Sequence, residues 1–382
     1  MFCFSKLFHR KPSPLARKPQ GFTLIELLVG IMISSVIIMP LLGLVDSLLR
    51  EDRQEQVKSR SPQELAAALD YIARDMQEAV YIYDKNGVTG KNADGIADDL
   101  PTIAGGNPVL VFWKRRFLGK DCEIDPDNNT TTPKVKGGCL ETLAPNVTTC
   151  KNQDYYVFSL VVYYLIDNNT NNPNNIWAKN AMRIARWELR GGIETNITAH
   201  PKALPARPGT ATPPIDSRTY LAYPEPGFMP FNLNAIVSAS SSFSFIAQKM
   251  NQWQPHPDDI NPDGSWKNVS PPVVLVDYLD SPTTSGFQNS TSDCSASEII
   301  PDNTTSPNSS FYACVPVANM VPIPLNQDAP TPIRPIAQVF IRGNALLRLE
   351  NDPNNAKYSE SKKLYFPTTS IRVQGMGLLG SN

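Results

Sequence analysis

The chain has 382 residues, a formal net charge of −1, 19% charged residues and 35 prolines. That length holds a sizeable core and one or two domains, and the proline count excludes a compact all-helical protein in favour of long irregular connections. With residues 1–21 set aside, 30 Lys plus Arg face 36 Asp plus Glu, a net of −6, and so acidic a body argues against nucleic acid as the main partner.

Residues 1–21 carry Lys6, Arg10, Lys11, Arg17 and Lys18 and no acid. Residues 22–45 are apolar with one charge, Glu26, and are long enough to span a bilayer as a helix. Basic residues ahead of the run place the N-terminus in the cytoplasm and the body across the membrane. A secretory signal peptide has its small-residue cleavage site after the apolar run. Here Gly21-Phe22 precedes the run, and no such site follows Val45. A carboxylate in hydrocarbon costs on the order of a few kcal/mol, so Glu26 demands a role.

The stretch KPQGFTLIELLVGIMISS, residues 18–35, resembles the class III signal of type IV pilins and of type II secretion pseudopilins. The resemblance implies cleavage by prepilin peptidase between Gly21 and Phe22 and N-methylation of Phe22. It makes Glu26 an assembly residue, paired in that family with the N-terminal amine of a neighbouring subunit. It also implies other pseudopilins, an inner-membrane assembly platform and the lipid bilayer as partners, with neither cofactor nor enzymatic activity. The family proline usually falls where Gly43 stands, whereas here it is Pro40. A proline removes a backbone donor, so a kink or local melting is expected over residues 36–43 in a packed filament.

Residues 46–60 continue the helix, with Asp46 and Arg50 spaced as an i,i+4 pair. Ser61, Pro62 and Glu64 then read as a restart or re-registration of the helix: an N-cap, a first-turn proline and a capping-box acid. Leu65, Leu69, Ile72, Met76 and Val80 fall on one face, so an amphipathic helix to about residue 81 is expected. Strand patterns follow at 108–114, 155–167, 182–190, 272–279, 337–350 and 370–377. The segment 155–167 is apolar on both faces and should be central. Gly343-Asn344 reads as a bulge or turn, and 84–107, 119–150, 168–180, 200–232 and 281–336 read as loops.

The expected fold is α+β: a long N-terminal helix, transmembrane then amphipathic, on an antiparallel sheet with long loop insertions. In the resembling family this is the pilin fold. The expected organisation is leader 1–21, transmembrane helix 22–45 and extracytoplasmic body 46–382. ALDYIARDMQEAVYIY followed by VLVFW looks like minor pseudopilins of the J or W type. AQVFIRGNALLRLE and YFPTTSIRVQGMG look like the pseudopilin C of the hormogonium polysaccharide secretion cluster of filamentous cyanobacteria. That likeness implies polysaccharide export and gliding motility, and it keeps a glycan-, DNA- or surface-binding minor pilin as the rival function.

In DKNGVTGKNADGIADD, residues 84–99, Asp84, Asn86, Asp94 and Asp98 on glycine-bent loops form a weak calcium candidate that lacks EF-hand spacing. Of six cysteines, Cys294 and Cys314 are close enough in sequence to pair outside the cytoplasm. Among Cys122, Cys139 and Cys150 a second bridge, for which Cys139 and Cys150 are candidates, would leave one thiol over. Nothing marks a catalytic constellation: His200 and His256 lie in proline-rich loops, and no nucleophile elbow or P-loop occurs. Tyr220, Tyr223, Trp253 and Trp266 are expected at the surface, where aromatic rings stack on sugars.

Overall fold

The computed structural model describes residues 23–377 apart from 127–132, 144–147, 173, 175, 196–218, 234, 236–244, 282–293, 296–297, 302–308, 317–334 and 351. Contacts divide the chain into two units, Met1–Glu55 and Gln56–Asn382. One helix, α1 (Leu24–Gln77), begins in the first and ends in the second.

In the first unit α1 carries an almost unbroken run of exposed apolar side chains from Leu24 to Val45. At 1.5 Å per residue this run is about 33 Å long, enough to cross a bilayer's hydrocarbon. The helix passes through Pro40 and Gly43 without a break. Asp46 and Arg50 pair at 2.9 Å, as their spacing predicts.

In the second unit α1 buries Ser61, Leu65, Ala68, Leu69, Ile72, Ala73, Asp75 and Met76. The expected restart at Ser61 does not occur. Ser61 is buried within the continuous helix, and an Arg60–Glu64 ion pair at 2.7 Å runs alongside Pro62. Pro62 costs one backbone hydrogen bond, which burial of the apolar stripe just after it offsets.

The helix also stops at Gln77, four residues before its expected end. Ala79, Val80, Tyr81 and Ile82 are all buried, and together they form β1 (Ala79–Ile82). A run of aromatic and β-branched residues buried on both faces suits a strand better than another helical turn. Val80, expected on the helix face, is thus a strand residue.

The remaining strands are, in chain order, β2 (Gly106–Leu118), β3 (Glu123–Ile124), β4 (Val135–Lys136), β5 (Tyr155–Asp167), β6 (Met182–Arg190), β7 (Ile193–Thr195), β8 (Thr219–Ala222) and β9 (Val273–Leu279), followed by β10 (Ile299–Ile300), β11 (Phe311–Cys314), β12 (Ile336–Arg342) and β13 (Thr368–Gln374). The main sheet has the order β1-β2-β5-β6-β9, and every pairing is antiparallel. β5 is the central strand, as its two apolar faces require. One face of this sheet meets α1 through Asp75. The other is covered by Phe228, Phe231 and Trp253, whose rings pack edge-on against Trp113 at 5.2–6.0 Å.

A second antiparallel sheet, β10-β11-β12-β13, joins the same core through Phe311, Ala313, Ala337, Val339, Ile341 and Val373. Its other face stacks Tyr312 on Phe340, with centroids 4.6 Å apart. The strand expected over 337–350 ends at Arg342. Gly343 and Asn344 turn the chain, and Asn344 caps the short 3-10 helix Ala345–Arg348 by accepting from the Leu346 N–H. β3–β4 and β7–β8 form two small ribbons, of which β3, β4 and β8 lie inside segments that read as loops.

Candidate functional site

The N-terminal motif comes first. Gly21 and Phe22 lie outside the described residues. Thr23 and Glu26 are described, and they form a reciprocal cap. The Glu26 N–H donates to Thr23 Oγ1 at 3.3 Å, and the Thr23 N–H donates to Glu26 Oε2 at 3.4 Å. The sequence T-L-I-E thus closes a capping box at the start of the apolar helix. An acid in the first turn also faces the positive end of the helix dipole. Within a single chain the carboxylate therefore has local donors, a signal that the Thr-x-x-Glu spacing carries. Glu26 is the one acid in the segment, and the helix is long and apolar enough to cross a membrane with none of its most apolar window buried. Among the described residues, a Cβ added to Gly43 or Gly30 would meet nothing within 4 Å, so no packing contact there requires glycine at either position.

An ionic clamp holds the body end of α1. Asp75 projects from the helix into the sheet and is almost fully buried. It accepts from Lys114 Nζ of β2 at 2.7 Å, from Arg186 Nε of β6 at 2.7 Å and from the Tyr163 hydroxyl of β5 at 2.7 Å. Glu188 bonds Arg186 at 3.0 Å, and Glu78 bonds Lys114 at 3.0 Å. Burial works to raise the Asp75 pKa, but hydrogen bonds and charge from Arg186 and Lys114 outweigh it and hold the carboxyl below its ordinary value. Glu188 is likewise depressed: its desolvation is overcome by Arg186, Lys114 and Arg190. Arg186, Glu188 and Arg190 alternate with Trp187 and Leu189 along β6, and the strand's pleat turns Arg186 toward the helix with Glu188 beside it.

The calcium candidates are held mainly by the chain itself. Asp84 caps the short helix Lys85–Thr89 through the Gly87 N–H at 2.8 Å, and Lys91 pairs with Asp98 at 3.0 Å. The Asp94 carbonyl accepts from Asn251. Gly90 and Gly95 sit where an added Cβ would lie 2.5 Å from the Asn86 carbonyl oxygen. The turn is thus packed by close backbone approach and by buried Val88 and Ile96. Among the described residues, no group of three or more His, Cys, Asp or Glu is placed to hold a metal.

Two disulfides are present, Cys139–Cys150 and Cys294–Cys314, and Cys122 is a free, exposed thiol. Of the expected surface aromatics, Tyr220 and Trp253 are buried, and Trp253 donates its indole N–H to the Met229 carbonyl at 2.6 Å. Trp266 packs edge-on against Trp187, with centroids 5.4 Å apart. Rings that do reach solvent include Phe117, Tyr156 and Phe158 on neighbouring strands, along with Tyr71 of α1, and none of these stood out in the sequence. His200 lies outside the described residues, and His256 is buried. A surface cleft of about 370 Å³ is lined by Trp187, Glu188, Glu225, Lys267 and Asn268. Both of its carboxylates are engaged: Glu188 bonds Arg186, and Glu225 accepts from the Arg190 N–H at 2.9 Å.

Comparison with known proteins bears on the N-terminus. No curated protein and no solved structure matches the chain. Residues 16–42 match the family described as the prokaryotic N-terminal methylation motif, which supports a membrane-anchored, pilin- or pseudopilin-like chain that prepilin peptidase processes and that assembles with other pilins.

Proposed function

We propose that the chain is a minor pseudopilin: a structural, non-enzymatic subunit of a type IV pilus-like or type II-like secretion filament. In this reading residues 1–21 are a leader, cleavage falls between Gly21 and Phe22, and Phe22 is N-methylated. Residues 22–45 anchor the chain in the inner membrane with the N-terminus cytoplasmic, and residues 46–382 form the extracytoplasmic body. Assembly packs the apolar helix among its neighbours at the inner-membrane platform. The filament exports polysaccharide and supports gliding motility, as the likeness to the hormogonium pseudopilin implies. Calcium in the 84–99 turn stays a secondary proposal.

One observation carries the reading most directly. A bare apolar helix about 33 Å long begins with a lone carboxylate and continues into a body that grips its other end. Such a helix needs lipid or other helices around it, because its apolar side chains are exposed among the described residues. Cleavage after Gly21 would place a cationic amine one helical turn from Glu26. Glu26 then exchanges its Thr23 donors for the amine of a neighbouring subunit, which removes two unpaired charges from hydrocarbon. Replacing Glu26 by Ala tests this. Cleavage is expected to persist while incorporation into filaments falls, and wild-type incorporation would remove the assembly role.

The rival reading is a minor pilin whose body binds a surface or polymer. The exposed aromatic face at Phe117 and Tyr156 favours it.

A further inference from the structure

β2 and β5 run past their neighbours. β1 pairs with β2 as far as Lys114, and β6 pairs with β5 from Ser159 onward. Residues 115–118 and 155–158 therefore project from the sheet as a two-stranded ribbon, with Phe117 opposite Tyr156 and Arg115 opposite Phe158. Side chains alternate across a strand, so these four residues share one face. The opposite face is covered, with Val157 packed among Leu140, Ile193 and Leu221.

The shared face is open. Phe117 and Tyr156 are each 54% exposed, and Phe158 is 38% exposed. The Phe117 and Tyr156 rings lie 5.3 Å apart, and Phe158 packs edge-on against Phe231, which in turn meets Trp113 of the core. The rings are therefore held on a rigid base. The Arg115 guanidinium lies 3.7 Å from the Tyr156 centroid, and among the described residues no carboxylate pairs with it. Stacking fixes the plane of the guanidinium while its N–H groups remain available to an anion.

We propose that this ribbon face docks an acidic polysaccharide. The flat C–H faces of pyranose rings fit exposed aromatic rings, and a sugar carboxylate fits the stacked guanidinium. Single-stranded nucleic acid also stacks on aromatics, but it carries a charge on every residue and needs a basic track. Arg115 is the one cation among the four residues of this face, which suits a polymer with widely spaced charges. The proposal deepens the export reading above and rests on it for a glycan as the natural occupant.

The test uses the full chain in detergent micelles, titrated with hyaluronan oligosaccharides, neutral dextran oligosaccharides and oligothymidylate. Saturable binding of hyaluronan is expected, at least tenfold tighter than binding of either of the others. Tyr156→Ala and Phe117→Ala, both at exposed positions, should each weaken it at least tenfold, as should Arg115→Ala. Equal hyaluronan affinity in wild type and these variants overturns the proposal, as does dextran or oligothymidylate binding as tightly as hyaluronan. Leader processing is followed in the same preparations. Failure to cut at Gly21 would overturn the filament reading while leaving the measured docking intact.

Discussion

Replacing Asp75 by Asn keeps the shape of the clamp and removes its charge. Asp75 is the shared acceptor for Lys114, Arg186 and Tyr163, and its side chain is only 6% exposed. Breaking a buried pair by removing one partner costs about 3–5 kcal/mol. Here Glu188 and Glu78 still hold Arg186 and Lys114, so the expected loss is shifted below that range, to about 2–4 kcal/mol. Unfolding entropy near 2.1 cal/mol/K per residue gives about 0.7 kcal/mol/K for the unit Gln56–Asn382, hence a fall in Tm of about 3–6 °C.

The pH dependence has a definite sign. Asp75 has a folded-state pKa below its unfolded value near 3.8, so its contribution is complete above pH 4. It disappears as pH falls through the lower, folded-state value. The Tm gap between wild type and D75N should therefore be constant from neutral pH down to about 4 and close in stronger acid. Calorimetry or circular dichroism melts across that range read both quantities. A Tm for D75N within one degree of wild type at neutral pH, or a gap that widens in acid, would show that the clamp contributes nothing of this kind.

Further outcomes are expected elsewhere in the chain. Gly21→Leu should leave the precursor uncut on a gel of membrane fractions, and mature-size protein would displace the assigned site. Glu26→Gln retains a hydrogen-bonding side chain opposite Thr23 but loses the charge, so incorporation nearer that of Glu26→Ala than wild type would trace assembly to the charge. Cys294→Ser combined with Cys314→Ser opens a loop of sequence separation 20, and the chain-entropy estimate for that length is a loss of about 3 kcal/mol, read by denaturant titration. The Asp99 pKa is pushed up to about 6 by burial and then by Asp98, so the charged carboxylate disfavours the fold at neutral pH. Asp99→Asn should raise Tm at pH 7 and lose that advantage near pH 4, where the native carboxyl is protonated.

Much of the architecture was legible because burial imposes a period. β5 and β6 match their predicted ranges because long alternating or doubly apolar runs admit one reading. The stripe Leu65, Leu69, Ile72, Met76 was equally plain. The helix boundaries were not. Ser61-Pro62 has the local chemistry of a helix start, yet burial on the sheet carries the helix straight through it. Val80 continues the helical spacing but belongs to a run that pairs with β2. Short strands such as β10 and β11 escaped because two to four residues show no period.

The N-terminal motif was legible from residue order, and residues 16–42 match the N-terminal methylation family. The Asp75 clamp was not, because its partners lie 39 and 111 residues away and only the sheet register brings them together. The aromatic ribbon was missed for the same reason. Phe117 and Tyr156 become neighbours through pairing, whereas of the four aromatics that looked exposed in loops Tyr220 and Trp253 are buried and Tyr223 and Trp266 half-buried.

The central claim is that this chain is cut and assembled as a pilin-like subunit, and intact-mass and N-terminal analysis of the membrane-extracted protein tests it most directly. The expected result is a chain beginning at N-methylated Phe22. A chain that retains Met1, or one that begins beyond Val45 as a secreted protein would, contradicts it.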